Sequence, residues 1–595
     1  ALWAHSHLSG TFFMTGLKPG FTRDQQAYLA KVIMQAKLHE AFAPKGAAVA
    51  APDPETYYGF AVEDLCKEEI AKYKSHPLDI WRRLEEWTEA NQMAEGLDQF
   101  MLRHLGFFNV EPNSEGYMMR LRAPGCQLTA EQFRVLAHCA ETYAGGYAHV
   151  TTRGSIQLRE IQPSSVIDMI DTMEAGNLTS QGTGADSARN LTLTPSAGFD
   201  VDELIDMTAQ AKRLSTRILR TRDLQGIPRK FNISFDNAGR LSCLSDTNDI
   251  GFLATVVEDN DQGIEPGLWC RIALGGITGH KDFARDTGLL CLPEETVDVS
   301  EAMLRVFVEH GDRTNRKKAR LKYLLEKNGV EWFLDRAQEK LDEFASGVKL
   351  TRLDAKFDRP RAPIDRQGHI GVHPQKQIGL SYIGVALELG RMSPDQMRTL
   401  ADVAERYGHG HVLLTVWQNP LIPYIPDADV DAARAEIEAA GMTVNASAFA
   451  AGAVSCTGKW GCKLASAYTK QDALKLVRHL EARFTMDHPI NIHLTGCANS
   501  CAQHYIGDIG LVGASAPGGG EGYNLVVGGG SDQDQGLARP LCGPVAADDI
   551  HRIVEHVIGF YLAQRAPEQT FLAYVRTLSD DDLKTLLPQG LNKAA

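Results

Sequence analysis

Apolar residues recur along the chain with two different spacings. Residues 300–309 and 318–327 repeat their apolar positions every three to four residues, which predicts amphipathic helices. Residues 412–416 and 525–527 are short apolar runs rich in valine and leucine, which predict strands. Patterns of both kinds alternate over most of the chain, so the sequence indicates a mixed α/β or α+β fold.

One helical pattern occurs twice. The stretch LTAEQFRVLA at residues 128–137 resembles MSPDQMRTLA at residues 392–401, an offset of 264 positions. At the same offset Tyr143 matches Tyr407 without a gap. Each copy predicts a strand, a capped helix and a second strand. We interpret the match as an internal duplication, against the alternative of two amphipathic helices that are alike by chance.

The two copies differ at the end of the second predicted strand. The first copy has Arg153 there, and the second has Trp417. We expect the copy with the arginine to serve a site and the other copy to act as a scaffold. The polar, proline-rich residues 360–363 predict the connection between the two halves.

Length and charge narrow the class of protein. A chain of 595 residues exceeds what one hydrophobic core supports, so we expect several domains. The formal net charge of -14 argues against a nucleic-acid binder, and an anionic substrate would need a local cluster of basic residues. No apolar run reaches the roughly 18–20 residues of a membrane span. Residues 1–20 lack a secretory signal pattern, so we expect a cytoplasmic protein with no membrane partner.

Four of the eleven cysteines form two close pairs, and eleven are too few for a disulfide scaffold in so long a chain. Cys456 and Cys462 form a C-x5-C pair, and Cys497 and Cys501 form a C-x3-C pair directly after the strand-like residues 490–496. Four thiolates match the four irons of a cubane [4Fe–4S] cluster. Small residues beside the ligands would let the backbone wrap closely around it: Gly458, Gly461, Gly496, Ala498 and Ser500.

Two alternatives compete with an iron–sulfur cluster. Structural zinc also uses four cysteines, but it favours tighter pairs than C-x5-C. Four buried, unreactive cysteines are the second alternative, because free cysteine is commonly buried. The remaining cysteines belong to no such pair and are predicted to lie in the core: Cys66, Cys126, Cys139, Cys243, Cys270, Cys291 and Cys542.

These cysteine pairs resemble the signature of the sirohaem-dependent nitrite and sulfite reductases, in particular the ferredoxin-dependent nitrite reductases. The resemblance implies sirohaem and a [4Fe–4S] cluster as cofactors. The cluster would be held by Cys456, Cys462, Cys497 and Cys501, with the sulfur of Cys501 also bound to the sirohaem iron. It implies an α+β fold in which two pseudo-repeated halves, each with a ferredoxin-like and a larger α/β domain, meet at the cofactors.

The resemblance extends from about residue 105 to the end and divides the chain into five expected segments. These are an N-terminal helical extension at 1–104, a first ferredoxin-like half-repeat at 105–175, a first α/β domain for substrate and sirohaem at 176–350, a second half-repeat at 351–440 and a cluster-binding α/β domain at 441–595.

Three segments place basic residues beside predicted strands or turns in this acidic chain, and they contain Arg120, Arg189 and Lys230. Taken alone, each is typical of a solvated or salt-bridged surface group. The resemblance implies that they line the substrate side of the sirohaem. There, arginine would bind an oxyanion and lysine would also donate a proton. Asn232 would assist them.

The resemblance also assigns Arg153 and Gln157 to the sirohaem. Arg153 matches an arginine that pairs with the carboxylates of this macrocycle. Gln157 is expected on the same strand and the same face. Two departures from the family pattern concern these contacts: Gly154 stands where glutamine is frequent, and Arg159 stands where some members have histidine.

The implied reaction is the six-electron reduction of nitrite to ammonium. Sulfite reductases tend to have a second lysine at position 232, whereas the neutral Asn232 suits singly charged nitrite better than sulfite. Assimilatory sulfite reduction on the same cofactors is one alternative, and the related oxygenase of cobalamin synthesis is another. A non-catalytic iron–sulfur or zinc scaffold protein is the alternative from a different class.

Electrons would have to come from a partner protein, since the sequence has no flavin or nicotinamide fingerprint. The glycine runs at 518–520 and 528–530 do not form a nucleotide-binding loop. The resemblance implies ferredoxin as the donor. The basic stretch at residues 313–320 is a candidate for its docking, with a solvated helix start as the alternative. We further expect a monomer.

Overall fold

The computed structural model describes residues 56–110 and 116–589. The chain divides into a first unit, residues 1–57, and a second unit, residues 58–595. Residues 1–55 of the expected N-terminal extension lie outside the described residues. Within the described part, none of the helices has the length and apolar character that crossing a membrane requires.

Helices and strands are interspersed along the described residues, which confirms the α+β expectation. The α-helices are α1 Lys67–Lys74, α2 Trp81–Glu89, α3 Gly96–Leu102, α4 Ala130–Thr142, α5 Val166–Ala175, α6 Thr208–Arg220, α7 Thr296–His310, α8 Leu321–Asn328, α9 Val330–Glu343, α10 Pro394–Tyr407, α11 Val430–Ala439, α12 Ala448–Gly452, α13 Thr469–Glu481, α14 Ile550–Gln564 and α15 Phe571–Thr577. The strands are β1 Thr56–Tyr57, β2 Phe60–Ala61, β3 Phe107–Asn109, β4 Tyr117–Arg120, β5 Gln127–Thr129, β6 Ala148–Val150, β7 Ile156–Ile161, β8 Thr192–Leu193, β9 Ile233–Asp236, β10 Ile250–Val257, β11 Gly267–Leu274, β12 Arg285–Cys291, β13 Thr351–Arg352, β14 Gly371–Pro374, β15 Leu380–Gly384, β16 Arg391–Met392, β17 His411–Leu414, β18 Pro420–Pro426, β19 Ala453–Ser455, β20 Ile492–Thr495, β21 Ile509–Ser515, β22 Glu521–Val527 and β23 Arg539–Ala546.

The apolar patterns predicted these elements with shifts at their ends. Residues 300–309 lie inside α7, and residues 525–527 lie inside β22. Residues 318–327 overlap α8, which begins at Leu321 after a short 3-10 helix. Residues 412–416 overlap β17, which ends two residues earlier than predicted.

Two five-stranded sheets belong to the two copies of the repeat and exchange one strand. The first sheet has the order β16–β6–β7–β4–β3, and the second has the order β14–β15–β18–β17–β5. Strand β5 of the first copy pairs with β17 of the second, with Leu128 opposite Val412. Strand β16 of the second copy pairs with β6 of the first, with Met392 opposite Ala148. The exchange joins the two copies through backbone hydrogen bonds.

The offset of 264 positions holds through both copies, which confirms the predicted duplication. When 264 is added to the residue numbers of the first copy, α4 begins at the same position as α10, and α5 begins and ends at the same positions as α11. Both α4 and α10 begin with a capping box, formed by Thr129 with Gln132 and by Ser393 with Gln396. In each box the two residues satisfy backbone N–H groups that a helix start leaves without a partner.

Two larger sheets follow one common plan. In the first, β8, β9 and β10 are parallel, and β11, β12 and β13 continue the sheet antiparallel. In the second, β19, β20 and β21 are parallel, and β22 and β23 continue it antiparallel. Helices α6 and α13 have 13 residues each, and α7 and α14 have 15 residues each, in matching places along the two domains. The duplication therefore includes the large domains as well.

Three apolar clusters hold these layers together. One fills the space between the half-repeats, where α4 packs on α10 and where Phe133 and Leu400 are fully buried. The other two lie in the two large domains. Each fully buried leucine or phenylalanine stabilises the fold by roughly 1.5–3 kcal/mol. The core prediction for the remaining cysteines is confirmed for five, whereas Cys66 and Cys542 are only partly buried.

Candidate active site

The four paired cysteines follow two neighbouring parallel strands. Cys456 comes directly after β19, and Cys497 comes two residues after β20. Since β19 and β20 run parallel, both cysteine loops leave the sheet at the same edge. The backbone N–H of Cys456 donates to the carbonyl of Leu494 at 3.1 Å, and the N–H of Gly496 donates to the sulfur of Cys456 at 3.1 Å. The topology thus brings together two pairs that lie far apart in sequence.

Glycine is required where the two cysteine loops pack on each other. A Cβ on Gly496 would lie 2.6 Å from the Cβ of Ala465, which is far inside contact distance. Gly458 has a φ of +70°, and a Cβ there would lie 2.5 Å from the hydroxyl oxygen of Thr469. Small residues therefore allow close packing of the loops at these two positions, and their wrapping around a cluster stays a prediction.

The thiols are surrounded by protein but are not fully buried. Cys501 is exposed, yet so much protein surrounds it that burial, and then the neighbouring Cys456, raises the pKa of its thiol to about 11. Burial also raises the pKa of Cys497, with Cys462 and Cys456 contributing. A bound cation is what keeps such crowded thiols deprotonated. Among the described residues, no three His, Cys, Asp or Glu side chains are grouped around one single metal-ion position. A cubane cluster needs a different arrangement from a single metal ion, because each of its four irons binds one thiolate.

The first half-repeat contacts both cysteine loops. Arg159 of β7 donates to the carbonyl of Gly461 at 3.2 Å and to the hydroxyl of Thr457 at 2.6 Å, inside the C-x5-C loop. The hydroxyl of Thr152 donates to the carbonyl of Cys501 at 2.9 Å. The sequence showed Arg159 only as a departure from a family pattern. Its contact with a loop some 300 positions away leaves no local signal.

Arg153 lies in the turn between β6 and β7, so the prediction that it shares a strand with Gln157 of β7 is wrong. The turn is tight because Gly154 has a φ of +53°, and a Cβ there would lie 2.3 Å from the sulfur of Cys126. Gln157 instead accepts a hydrogen bond from Arg159 at 3.0 Å.

Two asparagines hold the Arg153 guanidinium. Both of its Nη atoms donate to Oδ1 of Asn248 at 3.1 Å, and Nη2 also donates to the carbonyl of Asn190 at 3.0 Å. Its buried Nε has no partner among the described residues. Burial lowers the pKa of Arg153 to about 10, which leaves it cationic at neutral pH.

Arg120 and Arg189 meet at one carbonyl group. The carbonyl of Thr183 accepts from Nη1 of Arg189 at 2.6 Å and from Nη1 of Arg120 at 3.4 Å. Arg189 also donates to the carbonyl of Ala185 at 2.8 Å, and the Arg120 guanidinium lies 4.8 Å from the ring centre of Phe108. Sequence reasoning missed Thr183, since a backbone acceptor has no signature in the side-chain pattern.

Lys230 lies in the same cluster of positive charge. Burial, and then the charges of Arg320 and Arg189, lowers the pKa of its ammonium to about 7. Its neighbour Asn232 is half-buried, and the Asn232 backbone N–H donates to Asp249 at 2.8 Å. Within the described residues, Arg120, Arg153, Arg159, Arg189 and Lys230 all lack a carboxylate partner within salt-bridge distance.

Most of the positive charge of residues 313–320, the candidate docking stretch, is neutralised within the protein, and docking there stays untested. Its arginines are engaged in ion pairs: Arg313 with Glu69, Arg316 with Asp186 and Arg320 with Asp249. Arg313 and Arg320 are buried, and only Lys317 and Lys318 keep exposed charges. A run of basic residues in the sequence does not reveal which of them form ion pairs with acidic residues from other parts of the chain.

Known proteins match the chain over most of its length. The family model described as the nitrite and sulphite reductase 4Fe-4S domain matches residues 184–344 and 455–574, and the model described as the nitrite/sulfite reductase ferredoxin-like half domain matches residues 110–176 and 373–440. The four ranges follow the alternation of small and large domains seen in the fold.

Among similar proteins, the ferredoxin–nitrite reductase of Synechococcus elongatus is 30% identical over 83% of this chain and 96% of its own length. The chloroplastic ferredoxin–nitrite reductase of Zea mays is 33% identical over 76% of this chain and 79% of its own length. The structure of the Mycobacterium tuberculosis NirA protein superposes with a TM-score of 0.76 at 26% identity, covering 87% of this chain and 97% of that one. The chain therefore belongs to the nitrite and sulphite reductase family.

Proposed function

We propose that this chain is a ferredoxin-dependent nitrite reductase that converts nitrite to ammonium with six electrons. One observation carries the proposal. Five cations lack carboxylate partners within the described residues: Arg120, Arg153, Arg159, Arg189 and Lys230. Of these, Arg120, Arg159 and Lys230 interact electrostatically with the paired cysteines. Buried charge without a counter-ion is costly, so this cluster requires anionic occupants.

The cofactors of the family, a [4Fe–4S] cluster and sirohaem, fit these residues. Four thiols from two loops at one sheet edge match the ligand number of a cubane. A macrocycle rich in carboxylates suits the Arg153 guanidinium, whose buried Nε still needs an acceptor. We assign Cys456, Cys462, Cys497 and Cys501 to the cluster, and Cys501 also to the sirohaem. When bound, these cofactors would pass electrons from the donor protein to the substrate.

The protein's own groups bind the anion and deliver protons. The guanidinium groups of Arg120 and Arg189 stay charged and offer hydrogen bonds to the nitrite oxygens. Lys230 donates a proton from Nζ, because a pKa of about 7 lets it exchange protons at neutral pH. Asn232 donates through its amide group. Cys501 is exposed, so water can reach this region to replace the protons.

The electron donor would dock where the C-x5-C loop reaches the surface. Lys463 and Leu464 follow directly after Cys462, and Leu464 and Tyr468 are 60% and 37% exposed. Exposed apolar side chains beside a lysine suit an acidic partner such as ferredoxin. The expected cytoplasmic location and monomeric state stay predictions.

The test is steady-state turnover of the purified, coloured enzyme with reduced ferredoxin, comparing nitrite and sulfite as specificity constants. We expect a strong preference for nitrite, ammonium as product, and a rate at limiting ferredoxin that falls with salt. Asn232→Lys should raise the sulfite-to-nitrite ratio roughly tenfold, since it adds a cation for the doubly charged anion. Asn232→Gln, which keeps the amide, is the control. A wild-type preference for sulfite would support assimilatory sulfite reduction instead.

A further inference from the structure

Lys72 is a buried cation outside the site described above. It lies on α1, and its side chain is fully buried. Its ammonium donates to Oδ2 of Asp186 at 3.2 Å and to the carbonyls of Gly226 and Ile227 at 3.1 and 2.9 Å. It also pairs with Glu69 of the same helix. All of its hydrogens therefore have acceptors inside the protein.

The acceptors of Lys72 belong to the two loops that carry substrate-side cations. Asp186 lies three positions before Arg189, in the loop whose Thr183 carbonyl receives both Arg120 and Arg189. Gly226 and Ile227 directly precede the Pro-Arg-Lys segment that ends in Lys230. One ammonium thus joins two loops that are about 40 residues apart in the chain.

Asp186 anchors the first of these loops through several cations. Arg316 donates to both of its oxygens, at 2.7 and 2.9 Å, and Arg229 lies 3.5 Å away. Burial alone would raise the pKa of Asp186, but Lys72, Arg316 and Arg229 together hold it well below its usual range. The carboxylate is therefore ionised at any ordinary pH, and moving its loop would separate buried charges.

We propose that Lys72, acting through Asp186 and the carbonyls of Gly226 and Ile227, is a positioning residue that helps to hold Arg189 and Lys230 in place relative to each other. Backbone hydrogen bonds already join the two loops: the N–H of Arg189 donates to the carbonyl of Phe231 at 2.8 Å, and the N–H of Phe231 donates to the carbonyl of Ser187 at 3.0 Å. Lys72 adds a buried side-chain link between the same loops, and the segment around α1 thereby contributes to substrate binding. The inference rests on the proposed function, because it concerns the groups assigned to nitrite.

The test compares Lys72→Met with Arg271→Met in the cofactor-loaded full chain. Arg271 is the matched control, because it is also a buried cation and its bonds go to Asp358 and to the carbonyl of Leu353. Lys72→Met should raise the KM for nitrite roughly tenfold with kcat changed less than about twofold, as expected when binding groups are displaced. Arg271→Met should lower the melting temperature about as much as Lys72→Met does, but it should leave the KM for nitrite unchanged.

A second measurement does not depend on turnover. Amide hydrogen exchange at residues 182–189 and 226–230 should be faster in Lys72→Met and unchanged in Arg271→Met. Asp186→Asn keeps the size of the side chain and should raise KM as well, and the double variant should show less than the sum of both effects. Asp186→Asn alone also tests the proposal if Lys72→Met does not fold.

Unchanged exchange in both loops, or a KM no higher than in Arg271→Met, would overturn the positioning role. Fully additive effects of Lys72→Met and Asp186→Asn would overturn the route through Asp186. A wild-type enzyme without nitrite turnover would contradict the proposed function instead, and the exchange measurement would still decide whether Lys72 holds the two loops.

Discussion

The two half-repeats have the same backbone plan and different chemistry. Strand order and capping boxes agree between them at one constant offset, and matching helices have 13 and 14 residues or 10 residues each. Four polar residues of the first copy at the candidate site have apolar or neutral counterparts in the second. The pairs are Arg120 and Gly384, Arg153 and Trp417, Gln157 and Leu421, and Arg159 and Pro423.

The second copy uses these positions for packing. Trp417 is 7% exposed and its ring stacks on His369, with ring centres 5.8 Å apart. Leu421 is fully buried. The comparison shows that duplication keeps the apolar frame, which either copy needs to fold, while a few positions on strand ends and turns decide which copy serves a site.

In the large domains it is the second copy, not the first, that carries the residues predicted to bind a cofactor. Cysteine pairs follow β19 and β20 in the second large domain. In the first, the loop after β9 has only Cys243, which is buried and lies 3.4 Å from the carbonyl of Phe235. The first half therefore supplies cations and the second half supplies thiols. The complete site exists only where the halves meet.

The largest expected effect comes from removing one thiol of the second half. Cys456→Ser should abolish turnover and remove the cluster, with the sirohaem bands lost as well, because serine is a poor ligand for iron in a cubane. Iron content and the visible spectrum of the purified protein measure this. Cys542→Ser, a change at a cysteine outside the two pairs, should leave both unchanged. Retention of cluster and colour in Cys456→Ser would remove this residue from the ligand set.

Most of the frame and part of the site could be predicted from the sequence. The cysteine pairs and the repeat are local patterns, so spacing and periodicity were sufficient for them. Contacts such as Arg159 to Thr457 and Lys72 to Asp186 join residues far apart in sequence, and no local pattern marks them. Residues 313–320 show the converse, since the sequence displays their charge but not the buried acids that neutralise it.

The next effect tests the scaffold role of the second copy. Trp417→Ala should lower the free energy of unfolding by about 3–5 kcal/mol, as expected when a buried aromatic side chain leaves a cavity. Denaturant unfolding followed by circular dichroism measures this. The KM for nitrite should stay within about twofold, because Trp417 carries no charge and packs in an apolar cluster with Leu244, Val454, Ala502 and Ile506. A large rise in KM without a loss of stability would mean that the two copies share the site more evenly than their sequences indicate.

Arg153→Leu makes the opposite change in the first copy, replacing the cation with an apolar residue. We expect a loss of about 1.5–3 kcal/mol in sirohaem binding, because a charged hydrogen-bond donor to the macrocycle is removed. The ratio of sirohaem absorbance to protein absorbance measures this loss. Thr152→Ser, which keeps the neighbouring hydroxyl that donates to Cys501, is the control. Full sirohaem content in Arg153→Leu would show that the arginine serves the fold rather than the cofactor.

The last effect concerns a contact between the large domains that involves none of the cations without a carboxylate partner. Asp246 accepts the backbone N–H of Asp532 at 2.8 Å and the amide of Gln535 at 3.1 Å. Burial, and then the Asp532 carboxylate, raises the pKa of Asp246 to about 8. The folded state therefore holds this proton more tightly than the unfolded state, whose ordinary value is 3.8. This contribution to stability is complete at acid pH and is lost as the pH rises from about 4 to about 8.

Asp246→Asn removes this titration while keeping an oxygen acceptor for both donors. The wild-type protein should lose up to about 1 kcal/mol of unfolding free energy per pH unit between pH 5 and pH 8 from this group, and the variant should lose correspondingly less. Denaturant unfolding at several pH values measures the difference, with Asp431→Asn as the control at an exposed carboxylate. Nitrite KM should follow the wild-type pH profile in both variants. Parallel stability profiles for Asp246→Asn and wild type would mean that Asp246 is ionised throughout this pH range. The contact between the large domains would then hold two ionised carboxylates close together, just as the first half holds several cations close together.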